Sequence, residues 1–121
     1  MKPEIVPATP DLIRRFYGGE MPKRTVRALM LVVDGEPVVI GGYYTTLHEG
    51  DAKAIVFSED KDGALRRYAK SAVRMGWRVM GMAFASGAKV YAGQAAHLES
   101  SRRFIQHFGF VEVDKGVFQC N

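Results

Sequence analysis

The spacing of apolar and polar positions changes several times along this chain, and each change marks an element. Ile5-Val6 opens a short strand. Thr9-Pro10-Asp11 then reads as a helix start, with Thr as N-cap, Pro at the first helical position and an acid in the first turn. Leu12, Ile13 and Phe16 recur at helical spacing with Arg14 and Arg15 opposite, and Gly18-Gly19 stops the helix. From Thr25 the period shortens. The run VRALMLVV is almost wholly apolar, which predicts a strand covered on both faces. Asp34-Gly35 is the strongest hairpin signal, and VVIGGYYTTL is the return strand. Gly41-Gly42 within it predicts a bulge or a close backbone approach. A second turn at His48–Asp51 and a strand over Lys53–Phe57 complete an antiparallel meander.

The longest pattern follows. The strand AKAIVF leads through a charged turn, SEDKDG, into a stripe of Leu65, Tyr68, Ala69, Ala72, Val73, Gly76, Val79, Met80 and Ala83. That stripe predicts one continuous helix of roughly 22 residues, on the order of 33 Å long. Gly76 and Gly81 within it point to close packing on the sheet or to a kink, and Met75, Trp77, Met80 and Met82 to core filling. After Ser86-Gly87, KVYAGQ (Lys89–Gln94) reads as a strand. Because a helix joins it to the previous strand, that pair is expected to be parallel. A helix near Glu99–Phe108 ends at Gly109, and FVEVDKGVFQC is a final strand or hairpin. The predicted order is β-α-β-β-β-α-β-α-β. This is an α/β (α+β) mixed sheet with helices on its faces, in one domain over residues 1–121.

Composition narrows the function classes. At 121 residues and 47% apolar content the chain can bury a core without staples. It has no run long enough to span a membrane, and its opening residues lack the apolar centre of a secretory leader. The single cysteine, Cys120, forms no disulfide within the chain, so a cytoplasmic setting is expected and Cys120 reads as a frayed end residue. The net charge of +4 is below what a dedicated nucleic-acid binder leads one to expect, so nucleic acid is not the expected partner and a basic nucleic-acid-associated domain stands only as a third reading. The three histidines share no metal-ligand spacing, and no hydrolase, Walker or dinucleotide motif is present.

Two local patterns, together with the element order, resemble the GNAT family of N-acetyltransferases. One is SRRFIQHFGF, from Ser101 to Phe110, which looks like the family's last helix closed by Gly-Phe. The other is the central strand, turn and helix. In that family the strand's backbone pairs with the pantetheine arm of acetyl-CoA, and the turn's N–H groups cradle the pyrophosphate. The resemblance covers nearly the whole chain in topology, and small phage and prophage members look closest in size. It implies an acetyl-CoA cosubstrate held by Val56, Phe57, Ser58, Lys61, Asp62, Gly63, Ala64 and Arg66.

The sequence departs from the family at two places. The family's turn has the form Arg/Gln-x-x-Gly-x-Gly/Ala. Here KDGALR puts Lys61 first, Ala64 at the first Gly and Arg66 at the second small position. Glu59, Asp60 and Asp62 offset Lys61, Arg66 and Arg67 in formal charge, and acids at a helix start satisfy it and repel a pyrophosphate. The family's usual Tyr acid, four residues before the Gly of Gly-Phe, is Ile105 here, and its common Asn is Leu98. Neither transfers a proton.

Acyl transfer to an amine needs chiefly positioning, a polarised carbonyl and a proton acceptor. Glu59, at the end of the central strand, is the candidate base, with helix-end stabilisation as its plain structural role. Tyr91 is the candidate acid, with strand packing as its alternative. His48 and His97 fall in turns. The expected activity is acetyl-CoA-dependent N-acylation of a primary amine on a small molecule or protein. The alternative is a catalytically inactive GNAT-like binding or virion-associated protein. The short loop Gly18–Arg24 leaves the acceptor side open, which predicts a homodimer whose partner covers it.

Overall fold

The computed structural model describes residues 2–20, 25–93 and 105–120, without the His48 side chain. Its elements are β1 (Glu4–Pro7), α1 (Pro10–Phe16), β2 (Arg27–Val33), β3 (Glu36–His48), β4 (Asp51–Asp60), α2 (Ala64–Arg67), α3 (Ala69–Ala85), β5 (Lys89–Gly93), β6 (Val111–Asp114) and β7 (Val117–Cys120). Residues 105–107 are helical. The strands form one seven-stranded mixed sheet in the order β1-β2-β3-β4-β5-β7-β6. All neighbours are antiparallel except β4 and β5, the pair joined by the helical crossover.

Alternation along the strands assigns the two sheet faces. On one side α1 sets Ile13 and Phe16 against Met30 and Ile40. Its start is the expected one: Leu12 N–H donates to Thr9 Oγ1 at 3.2 Å, with Pro10 in the first turn. On the other side α3 packs Met75, Val79, Met80 and Ala83 over Leu29, Leu31, Val39, Ala54 and Val90. Met30 and Leu31, adjacent in β2, are both fully buried, which is why that run carries no polar alternation. The Asp34-Gly35 turn is left-handed at both residues (φ 53° and 79°), the geometry that matches hairpin twist.

Four expectations are corrected. The turn after the central strand is shorter than SEDKDG, because Ser58, Glu59 and Asp60 continue β4 by pairing with Gly41, Ile40 and Val39. The 13 residues of β3 supply those partners. The single long helix is two: Tyr68 (φ −115°, ψ 43°) separates α2 from α3. The break folds Ala64, Leu65 and Tyr68 onto the cluster around Val39, and the stripe keeps its period because both helices face the same sheet. The final segment takes the hairpin form, turning at Asp114-Lys115-Gly116, so the predicted order gains one strand at its end. Cys120 is not frayed. It lies in β7 opposite Val90, its thiol 3.5 Å from the Phe108 carbonyl oxygen, and burial pushes that thiol above its ordinary pKa.

The glycine pairs resolve individually. Gly42 meets a close backbone approach rather than a bulge, since a Cβ there would collide with Arg27 O and Ala28. Gly76 packs not on the sheet but under the Phe108 ring, which an added Cβ would overlap. His97, Leu98, Gln94, most of the last predicted helix and positions 101–104 of SRRFIQHFGF lie outside the described residues, as do positions 21–24 of the first loop.

Candidate functional site

The ladder between β4 and β5 runs from Lys53–Lys89 to Val56–Ala92 and stops there among the described residues. β4 continues to Asp60 along β3. Past Val56, then, β4 has a ladder on its β3 side and none described on its β5 side. A cavity of about 290 Å³ opens at that point. Val56, Phe57 and Ser58 form its strand wall, Met75, Gly76 and Val79 its helix wall, and Ile105 and Phe108 its far side. The volume is at the lower end of small-molecule sites, which begin at about 300 Å³. It suits a slim chain and not a nucleotide. A wider depression of about 560 Å³ lies further along β3, lined by Arg27, Tyr43, Met82 and Ser86 among others. It abuts the C-terminal end of α3, whose carbonyls disfavour an anion.

Three of the eight residues assigned to cofactor binding therefore border the slot: Val56, Phe57 and Ser58. The turn residues do not. Lys61 points the other way, its ammonium 3.3 Å from the Arg15 carbonyl oxygen and 4.9 Å from the Phe16 ring centroid, capping the C-terminal end of α1. Asp62 and Gly63 are both left-handed (φ 51° and 73°). Ala64 is buried and its N–H donates to Lys61 O at 3.0 Å. The next N–H, of Leu65, donates to Asp60 Oδ2 at 3.0 Å, and that of Arg66 to Gly63 O at 3.2 Å. An aspartate thus occupies a helix-start N–H group that a phosphate would need. The Arg66 side chain is exposed.

Glu59 and Tyr91 do not meet. Tyr91 is level with Ile55 on β4, while Glu59 is four residues further on, roughly 13 Å along the strand. Tyr91 does not line the slot, and the Lys53 ammonium sits 5.0 Å from its ring centroid. Glu59 instead meets Tyr17, whose hydroxyl donates to Glu59 Oε2. Burial raises the Tyr17 pKa, and the bond and charge of Glu59 raise it further, so this hydroxyl stays a donor through the neutral range. The contact was not legible in the sequence. Tyr17 follows α1 directly and precedes Gly18-Gly19, where it reads only as part of a helix stop.

Ile105 borders the slot. Its aliphatic side chain offers this cavity no proton donor. The hydroxyl-bearing residues on the slot wall are Tyr44 and Ser58, and the Tyr44 ring lies 6.3 Å from that of Phe57. Among the described residues no helix is long and apolar enough to cross a membrane. Compared with protein families, curated proteins and solved structures, the chain matches none.

Proposed function

We propose that this chain is a GNAT-like acyl-CoA-dependent N-acyltransferase in which the slot beside β4 takes the acylated pantetheine arm. The observation that carries the reading is the open slot itself. It is apolar and bounded by the stretch of β4 beyond its described ladder with β5. A strand edge offers N–H and C=O groups, and an extended arm containing amides is the kind of ligand that completes one. The nucleotide would lie outside, gaining little from a turn in which Asp60 already takes the Leu65 N–H.

In this reading the acceptor amine approaches from the α1 side of β4. Its nitrogen attacks the thioester carbonyl carbon, the C–S bond breaks and an amide forms. Glu59 is not among the slot's lining residues and takes the amine proton through water. Its carboxylate has lone pairs left after accepting from Tyr17, which holds it in place. The thiolate takes its proton from water, since Ile105 has none to give. Positioning then supplies most of the rate, as it can where reacting groups are held in contact.

Thiol release from acetyl-CoA, followed against small primary amines and lysine-bearing peptides, tests the activity. Glu59→Gln is expected to lower kcat on the order of 100-fold while acetyl-CoA binding persists. Thiol release unchanged in Glu59→Gln would remove Glu59 from the mechanism. The acceptor side can be closed by a second copy, and light scattering at twice the chain's mass is the result this expects.

The second reading is a GNAT-like binding protein without catalysis, cytoplasmic or virion-associated. Two observations favour it: the Asp60 carboxylate at the phosphate turn and the aliphatic Ile105 on the slot. It predicts ligand binding without thiol release from acetyl-CoA, whichever amine is offered.

A further inference from the structure

The outer face of α3 carries charge of one sign. From Gly63 to Leu98 the sequence holds Arg66, Arg67, Lys70, Arg74, Arg78 and Lys89 and no Asp or Glu. All the acids of the chain lie outside that stretch, so the modest net charge conceals a strongly basic side. Lys70, Arg74 and Arg78 follow one another at intervals of four, so they line one face of the helix about 6 Å apart along its axis. All three are exposed, and none forms an ion pair among the described residues. Solvated helices ordinarily mix signs at this spacing, because like charges four apart repel.

A row of aromatic rings flanks the basic row. Trp77 is 51% exposed and Phe84 45% exposed, seven residues apart and so on nearly the same line of the helix. Trp77 is held edge-on to Phe108, with ring centroids 4.9 Å apart and planes at 73°. Between them lies Gly81, exposed, with no atom within 4 Å of where its Cβ would be. Packing therefore does not require glycine there. Its effect is a bare patch of backbone between two exposed rings and beside Arg78.

We propose that this face of α3 binds single-stranded nucleic acid, its phosphates along Lys70, Arg74 and Arg78 and its bases against Trp77 and Phe84. A row of cations beside exposed rings is the arrangement that binds single strands without reading sequence. A membrane surface fits less well, because the apolar face of α3 is spent on the sheet and only two half-buried rings remain to insert. An acidic peptide would satisfy the cations and leave the rings idle. This proposal is independent of the slot, which lies on the other side of α3.

Trp77 is the single tryptophan of the chain, so its fluorescence reports on this face and on the Phe108 ring it packs against. The test titrates the full chain with short oligodeoxythymidine and oligouridine, read by Trp77 quenching and by anisotropy of a labelled strand. Quenching is expected with either sugar, with a log–log salt slope of about −2 for three phosphates. Arg74→Glu/Arg78→Glu is expected to weaken binding at least tenfold. Arg14→Glu/Lys115→Glu, with the same change in net charge, is expected to leave it within about twofold, folding of both being checked by circular dichroism. Several results would overturn the proposal. They are no binding to either strand at about 50 mM salt, equal loss in both double variants, or binding to a duplex without quenching. Binding of phosphatidylserine vesicles or polyglutamate in place of the oligonucleotides would do the same.

Discussion

Tyr17 and Glu59 are 42 residues apart in sequence and joined by one hydrogen bond. Because the Tyr17 pKa is raised, the bond favours folding below about pH 10, the ordinary tyrosine value, and that contribution is lost as pH rises through the still higher folded value. Tyr17→Phe is expected to cost about 1 kcal/mol at pH 7, less than a fully buried charge-assisted bond because Glu59 is exposed. Urea unfolding checks it, and wild type and variant should converge above about pH 10. The two helix glycines give a paired test. Gly76→Ala drives a methyl into the Phe108 ring and is expected to destabilise by about 1–3 kcal/mol. Gly81→Ala meets open space and is expected to stabilise by roughly 1 kcal/mol, since alanine is the better helix former. Both glycines stand out in the sequence as weak helix formers inside a helical pattern. Their opposite roles depend on a ring from a distant segment, which no local pattern reveals.

The element scale holds both the most legible and the least legible parts of the fold. The meander, the first helix and the parallel crossover were readable because each has a local cause: a hairpin dipeptide, a capped start, a helix between two strands. The end of β4 was not. Ser58, Glu59 and Asp60 look like turn residues, yet β3 is long enough to pair with them. That extension places Asp60 where its carboxylate caps the Leu65 N–H, and so fills part of the turn that resembles a phosphate cradle. The acids were visible in the sequence as a source of repulsion, and the geometry adds which N–H is taken. Asp60→Ala is expected to lower the melting temperature by on the order of 4 °C, the equivalent of about 1 kcal/mol for a domain of this size. On the proposed reading the same change is expected to tighten acetyl-CoA binding, read by calorimetry, because it removes a carboxylate that would repel a pyrophosphate passing this turn and frees the Leu65 N–H. Weaker or unchanged affinity would mean that the nucleotide does not visit this turn.

At the scale of the molecule, the chain separates its chemistry by side. Glu59, Asp60 and Asp62 sit at the end of β4 and its turn, bases alone line α2 and α3, and the slot lies between sheet and helix. Part of the slot's wall coincides with positions the resemblance implied: Val56, Phe57 and Ser58 border it. Tyr91 was not separable from Glu59 by sequence, because which strand residues stand level is fixed only by the ladder register. Charge segregation was equally hidden, since a total of +4 averages over both sides. The central claim is that the slot receives a thioester arm, and acetyl-pantetheine tests it most directly because it carries that arm without phosphates for the basic face to hold. At about ten times its dissociation constant, binding only the native state should raise the melting temperature by roughly 3–6 °C. A melting temperature that stays fixed with millimolar acetyl-pantetheine, and with acetyl-CoA as well, would contradict the account.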